Sequence, residues 1–275
     1  MTSLDTLRGP MTRDSVADDV FAAWVLGPAA RVPKASTRSG LQAVLFDLDG
    51  VLVDTAEFHY LAWKKLADDL GIPFNRQINH AFRGVGRMEC LDKLLGPHAA
   101  CFVVAEKQLL AERKNLDYMR QVASLTPDHL AIGARGLAMG LRAMNEGGVR
   151  MAVVSASKNA RHVIELLGIA DWFDAIIDGA DVTRGKPDPQ GFLLAAQRLR
   201  AQPHLCVVVE DADAGLKAAR AAGMATVGVG SVGGGGAGMG GGICDLQVRA
   251  VGDLTVERLE NVIGRRAESA NNSSQ

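Results

Sequence analysis

The stretch Ala43-Val44-Leu45-Phe46-Asp47-Leu48-Asp49-Gly50-Val51 decides how the rest of the chain is read. Four apolar residues form a run of strand length that stops at an acid. A second acid follows two positions later, and Gly50 lets the chain turn sharply, so both carboxylates can face one cleft. Two neighbouring acids in different surroundings can divide the work of nucleophile and proton carrier. An acid-rich turn at a strand end looks the same, so the pair gains meaning only from its surroundings.

Working outward, further apolar runs lie at residues 151–154, 175–177, 205–209 and 225–229. Helical patterns separate them, at 136–146, 160–167, 190–200 and 214–222, with Gly147, Gly168 and Gly223 where helix C-caps are expected. This alternation predicts an α/β fold: a doubly wound parallel sheet, a Rossmann-like core with helices on both faces. Ligands of such sheets bind beyond the carboxyl ends of the strands. Between the first two strands the pattern changes. Residues 57–70, 87–95 and 99–122 carry apolar positions at helical spacing and show no strand, which predicts an inserted all-helical cap domain. The expected organisation is a core of residues 41–54 and 126–262, a cap of 55–125 and a disordered tail at 263–275. Residues 1–40 form an N-terminal extension with one candidate helix at 14–26, either docked on the body or offered to a partner. Ten of the fifteen residues from 228 to 242 are glycine, but no Lys-Ser/Thr ending or helix follows, so a surface loop is expected rather than a phosphate cradle.

Composition narrows the class. The 275 residues are 48% hydrophobic and 22% charged, and 30 basic against 31 acidic residues leave a net charge of −1. That balance gives no basic field for nucleic acid or an anionic membrane. No apolar run is long enough to span a bilayer, and the acidic N-terminus is unlike a signal peptide, so a cytoplasmic protein is expected. Cys90, Cys101, Cys206 and Cys244 are widely spaced and are read as reduced and structural.

Each further strand ends in residues with chemistry of their own. Ser155-Ala156-Ser157-Lys158-Asn159 opens a helix, where a hydroxyl and free N–H groups suit a phosphate, although Ser157 could be a helix cap alone. Lys186 precedes Pro187-Asp188-Pro189, a stiff turn able to hold an ammonium over a phosphoryl group, or an ordinary loop. Glu210-Asp211 suits a hard cation such as Mg²⁺, with a helix N-cap as the plain alternative. Four such loops at one sheet edge make coincidence a poor explanation.

In these four motifs the sequence resembles the haloacid-dehalogenase-like superfamily, and over nearly all of residues 41–230 it is similar to the β-phosphoglucomutase family. The resemblance implies that Asp47 is phosphorylated, that Asp49 is the general acid and base, and that Ser155 and Lys186 complete the catalytic set. It implies Mg²⁺ held by Asp47, the Asp49 carbonyl, Glu210 and Asp211. In the cap, Asp54-Thr55-Ala56-Glu57-Phe58-His59-Tyr60-Leu61-Ala62-Trp63 and Arg83-Gly84-Val85-Gly86-Arg87 resemble the mutase segments that meet the sugar phosphate. Substrate contacts are therefore expected from Thr55, His59, Trp63, Arg83, Gly84, Val85, Gly86 and Arg87, with Arg87 on a distal phosphate, and from Ala156, Ser157, Lys158 and Asn159 on the core. For His59 and Trp63 packing is the alternative, because Leu66 and Leu70 extend the same helix face. The implied activity interconverts β-glucose 1-phosphate and glucose 6-phosphate. A sugar-phosphate phosphatase on the same scaffold is the first alternative and a non-enzymatic binding module the second. The expected partner is a small sugar phosphate, with no nucleic acid or membrane, and the chain is expected to be a monomer or weak oligomer.

Overall fold

A computed structural model describes residues 40–144, 148–230 and 243–272. The candidate helix at 14–26, Gly147 and most of the glycine run lie outside them. Among the described residues six strands form one sheet: β1 (Ala43–Phe46), β2 (Arg150–Val154), β3 (Ala175–Ile177), β4 (Cys206–Glu210), β5 (Ala225–Val229) and β6 (Leu246–Val248). Their order is β3-β2-β1-β4-β5-β6, and every pairing is parallel. The chain works outward from β1 through β2 and β3, then returns to β4 on the other side of β1. That reversal opens a crevice at the carboxyl ends of β1 and β4.

The strand sequences read as continuous apolar runs because both faces are covered. Val44 and Phe46 share one buried cluster with Leu137 and Leu141 of α5 (Ala134–Arg142), Val163 of α6 (Ala160–Leu166) and Leu259 of α9 (Val256–Asn272). Ala43 and Leu45 point the other way, to Phe192 and Leu199 of α7 (Gln190–Leu199) and Ala218 of α8 (Asp213–Ala221).

Between β1 and β2 come α1 (Ala56–Asp69), α2 (Arg76–His80), α3 (Arg87–Leu95) and α4 (Val104–Val122). These cap helices share a buried cluster of their own, built on Trp63, Leu66, Phe74, Phe82 and Leu91. Three elements differ from the sequence reading. Strand β6 is Leu246-Gln247-Val248 at the sheet edge, and its polar middle residue breaks the apolar run that marks β3. Helix α2 is a single short turn, capped by Asn75, whose side chain accepts from Ile78 N at 2.9 Å. Helix α9 runs to Asn272, past the expected end of the core at 262, and it buries Val262 and Ile263 on the sheet. The disordered tail expected at 263–275 is therefore helical as far as Asn272. No described helix is long and apolar enough to cross a membrane.

Candidate active site

The site is built where β1 and β4 end. Asp47 follows β1 directly, and its backbone N–H donates to Val209 O at 2.9 Å, which sets it level with Glu210 at the end of β4. Lys186 reaches between them from the loop before α7. Its Nζ lies 2.5 Å from Asp47 Oδ1, 2.7 Å from Glu210 Oε2 and 3.1 Å from Val154 O. All three side chains are buried, and the two carboxylates hold the lysine ammonium well above its ordinary range against the cost of burial. Two glycines make room for the acids. A Cβ on Gly50 (φ +89°) would collide with the Asp211 carboxylate, and one on Gly215 in α8 would collide with that of Glu210.

Ligand atoms of Asp47, Glu210 and Asp211 all lie within 4.8 Å of one another. Burial, then the negative charge of Glu210, raises Asp47 well above the usual carboxylate range despite Lys186. The same two causes push Asp211 up to about 7, although Arg83 pulls it down. A buried, all-oxygen donor set with surplus negative charge fits a hard divalent cation such as Mg²⁺, and no soft ligand stands among these donors.

Asp49 lies on the other side of the turn. Burial would raise its carboxyl, but contacts from His59 and Thr55 prevail and hold it below the ordinary value. Thr55 donates its hydroxyl to Asp49 Oδ1, His59 Nε2 stands 3.8 Å from the same oxygen, and Ser155 Oγ lies 3.5 Å from Oδ2. Ser155 Oγ also accepts from Ser157 N at 3.1 Å, shaping the turn into α6.

One cleft joins the core and the cap. Asp47, Asp49, Asp211 and residues 156–159 line it from the core, and His59, Trp63, Arg83, Gly84, Val85 and Arg87 line it from the cap. Thr55 is fully buried behind Asp49, and Gly86 sits at the N-cap of α3, so neither lines the cleft. Trp63 serves both readings, packed edge-on against Phe82 in the cap cluster with one side to the cleft. Ala56, Asn79, Phe82, Cys90, Lys114 and Asn115 also line the cleft and escaped the sequence reading, and two of them join its polar network. Lys114 Nζ lies 2.9 Å from His59 Nδ1 and over the rings of Trp63 and Tyr118, and burial with nearby Arg87 lowers it to about 7. Asn115 accepts from Asn159 Nδ2 at 2.8 Å, tying cap to core. The available signal was Lys114 itself, a charged residue in register with Ala111, Tyr118 and Val122 on the buried face of α4. The four cysteines are free thiols, and burial raises Cys90 and Cys206 to about 12.

A family model described as haloacid dehalogenase-like hydrolase matches residues 41–223. The chain is 43% identical over 221 residues to the β-phosphoglucomutase of Bacillus subtilis (strain 168), covering 80% of this chain and 94% of that protein. It is 32% identical to the fructose-1-phosphate phosphatase YqaB of Escherichia coli (strain K12), covering 68% and 95%. The crystal structure of a β-phosphoglucomutase from Clostridium difficile superposes with a TM-score of 0.76 at 35% identity, over 82% of this chain and 99% of that one.

Proposed function

We propose, because this chain belongs to the haloacid dehalogenase-like hydrolase family, that it is a sugar-phosphate mutase interconverting β-glucose 1-phosphate and glucose 6-phosphate. The observation that carries this reading is the two-sided cleft. Arg87 and His59 of the cap face the same space as Asp47 and Asp49 of the core. A bisphosphorylated sugar needs such a pair of poles, one to react and one to hold.

In this mechanism a phosphoryl group on Asp47 passes to a hydroxyl of the sugar monophosphate. The bond from phosphorus to the aspartyl oxygen breaks as the new ester forms. The bisphosphate then turns over, and Asp47 attacks the other phosphorus and takes that group. Asp49, ionised at rest, accepts the hydroxyl proton in the first transfer and returns it to the leaving sugar oxygen in the second. Thr55 and His59 orient that carboxylate. Lys186 fixes Asp47 and neutralises phosphoryl oxygens, to which Ser155 donates its hydroxyl. Mg²⁺, held by Asp47, the Asp49 carbonyl, Glu210 and Asp211, would supply further positive charge to those oxygens. Arg87 with Ser157, Lys158 and Asn159 grips the distal phosphate, and Trp63 with Arg83, Gly84 and Val85 shapes the wall beside the sugar.

A phosphatase shares the step in which Asp47 takes a phosphoryl group from the sugar, and water rather than a sugar hydroxyl then removes it. The 32% identity to a sugar-phosphate phosphatase keeps that reading in view. The test is to supply β-glucose 1-phosphate with a trace of glucose 1,6-bisphosphate and measure glucose 6-phosphate and free phosphate together. The mutase yields glucose 6-phosphate with little phosphate. Phosphate release without isomerisation replaces it with the phosphatase.

A further inference from the structure

Two consecutive residues of the cap loop between α2 and α3 rest on the acidic loop after β4. Arg83 Nη2 forms an ion pair with Asp211 Oδ2. At Gly84 (φ +69°) a Cβ would stand 3.0 Å from that of Ala212, closer than side chains normally approach. The oxygen that Arg83 grips is also the Asp211 oxygen nearest Gly50, so it faces the nucleophile turn. Two cations thus serve the three clustered carboxylates, Lys186 on Asp47 and Glu210 and Arg83 on Asp211. They differ in freedom. The Lys186 side chain is 6% exposed, whereas that of Arg83 is 34% exposed and hangs from a loop.

We propose that Arg83 is the counter-ion of Asp211 in the cation-free protein, and that a divalent cation competes with it for the same carboxylate. The proposal rests on the cation site described under Proposed function. A doubly charged ion beside Lys186 brings more positive charge than the acids need, and at contact distance it repels the guanidinium. Arg83 is the group that can leave. Once released it stays on the cleft wall, where its planar fork suits an anionic substrate. Cation binding therefore loosens the cap loop and makes a second arginine, besides Arg87, available to phosphate.

The experiment is a substrate-free Mn²⁺ titration of the full chain, read from the paramagnetic resonance of free Mn²⁺. Arg83→Gln is expected to bind Mn²⁺ about two- to fivefold more tightly than wild type, the scale of one partly exposed ion pair. Arg83→Lys, which keeps the charge, stays near wild type. Amide exchange at residues 82–85 of the wild type should quicken when Mn²⁺ is added, a readout that needs no variant. Equal or weaker affinity in Arg83→Gln, or slower exchange in the loop, overturns the competition while leaving the cation site standing. If no protein binds Mn²⁺, the site itself fails, and this proposal with it.

Discussion

Asp47, Lys186 and Glu210 form a buried chain of alternating charge, and each member's role follows from what it would leave behind. Asp47→Asn removes the carboxylate proposed as nucleophile in near-isosteric form. The variant should fold and accumulate no acid-stable, base-labile phosphoenzyme when incubated with a sugar bisphosphate; labelling at the wild-type level would remove Asp47 from its role. Lys186→Met strips two carboxylates of their shared partner. Loss of one preorganised donor costs about 3–4 kcal/mol of barrier. Uncovering buried charge costs about 3–5 kcal/mol of folding stability in the absence of metal. The turnover rate and the urea midpoint should therefore fall together, and a variant losing neither would make Lys186 an ordinary loop residue. The sequence displayed the chemical identity of this lysine but not its burial, because a Lys-Pro pair in a loop carries no signature of depth.

At the scale of elements, legibility followed burial. Strands β1, β2, β4 and β5 announce themselves as unbroken apolar runs because helices cover both their faces. Helices α1, α3, α7 and α8 repeat their apolar residues at the spacing of one buried stripe. Strand β6 sets Gln247 between its two apolar residues, and helix α2 has only five residues, so neither shows a pattern. Helix α9 was hidden by its own polarity, since Leu259, Val262 and Ile263 are a thin stripe among charges. Helix α4 carries the most instructive residue, since the fold sets Lys114 between His59, Trp63 and Tyr118. Its amine falls from the ordinary 10.5 to about 7. Between those values the unfolded chain binds a proton that the folded protein does not, so unfolding takes up a proton and stability rises with pH, by at most about 1.4 kcal/mol per unit. The destabilisation is full below pH 7, where the folded lysine must be charged among Arg87 and His59. Lys114→Met should flatten this slope and raise the denaturation midpoint at pH 7 more than at pH 10. Parallel pH profiles for the two proteins would show that the amine keeps its charge.

At the scale of the molecule, the proposed mutase divides recognition of its substrate between cap and core. Arg87 stands in the cleft, half-buried and 3.6 Å from Glu112, and can exchange that exposed acid for a phosphate. Arg87→Ala should lower isomerisation of β-glucose 1-phosphate by about a hundredfold, the scale of a desolvated, charge-assisted contact. It should spare hydrolysis of a small acyl phosphate such as acetyl phosphate, which occupies only the core pole. Paired assays on each protein measure this, and equal damage to both reactions would place Arg87 outside distal-phosphate binding.

The cap cluster of Trp63, Leu66, Phe74, Phe82 and Leu91 is separate from the two clusters that sandwich the sheet, while Ala62, Tyr118 and Val122 of α1 and α4 pack with the core. Mutations within the cap cluster can therefore repack it without touching the strands that align Asp47, Lys186 and Glu210. Selection is free to rewrite what the cap admits while inheriting the transfer apparatus intact. Relatives with one ancestral core can then diverge into moving a phosphoryl group within a sugar or handing it to water, each step tolerated where it falls in the cluster that the sheet does not share.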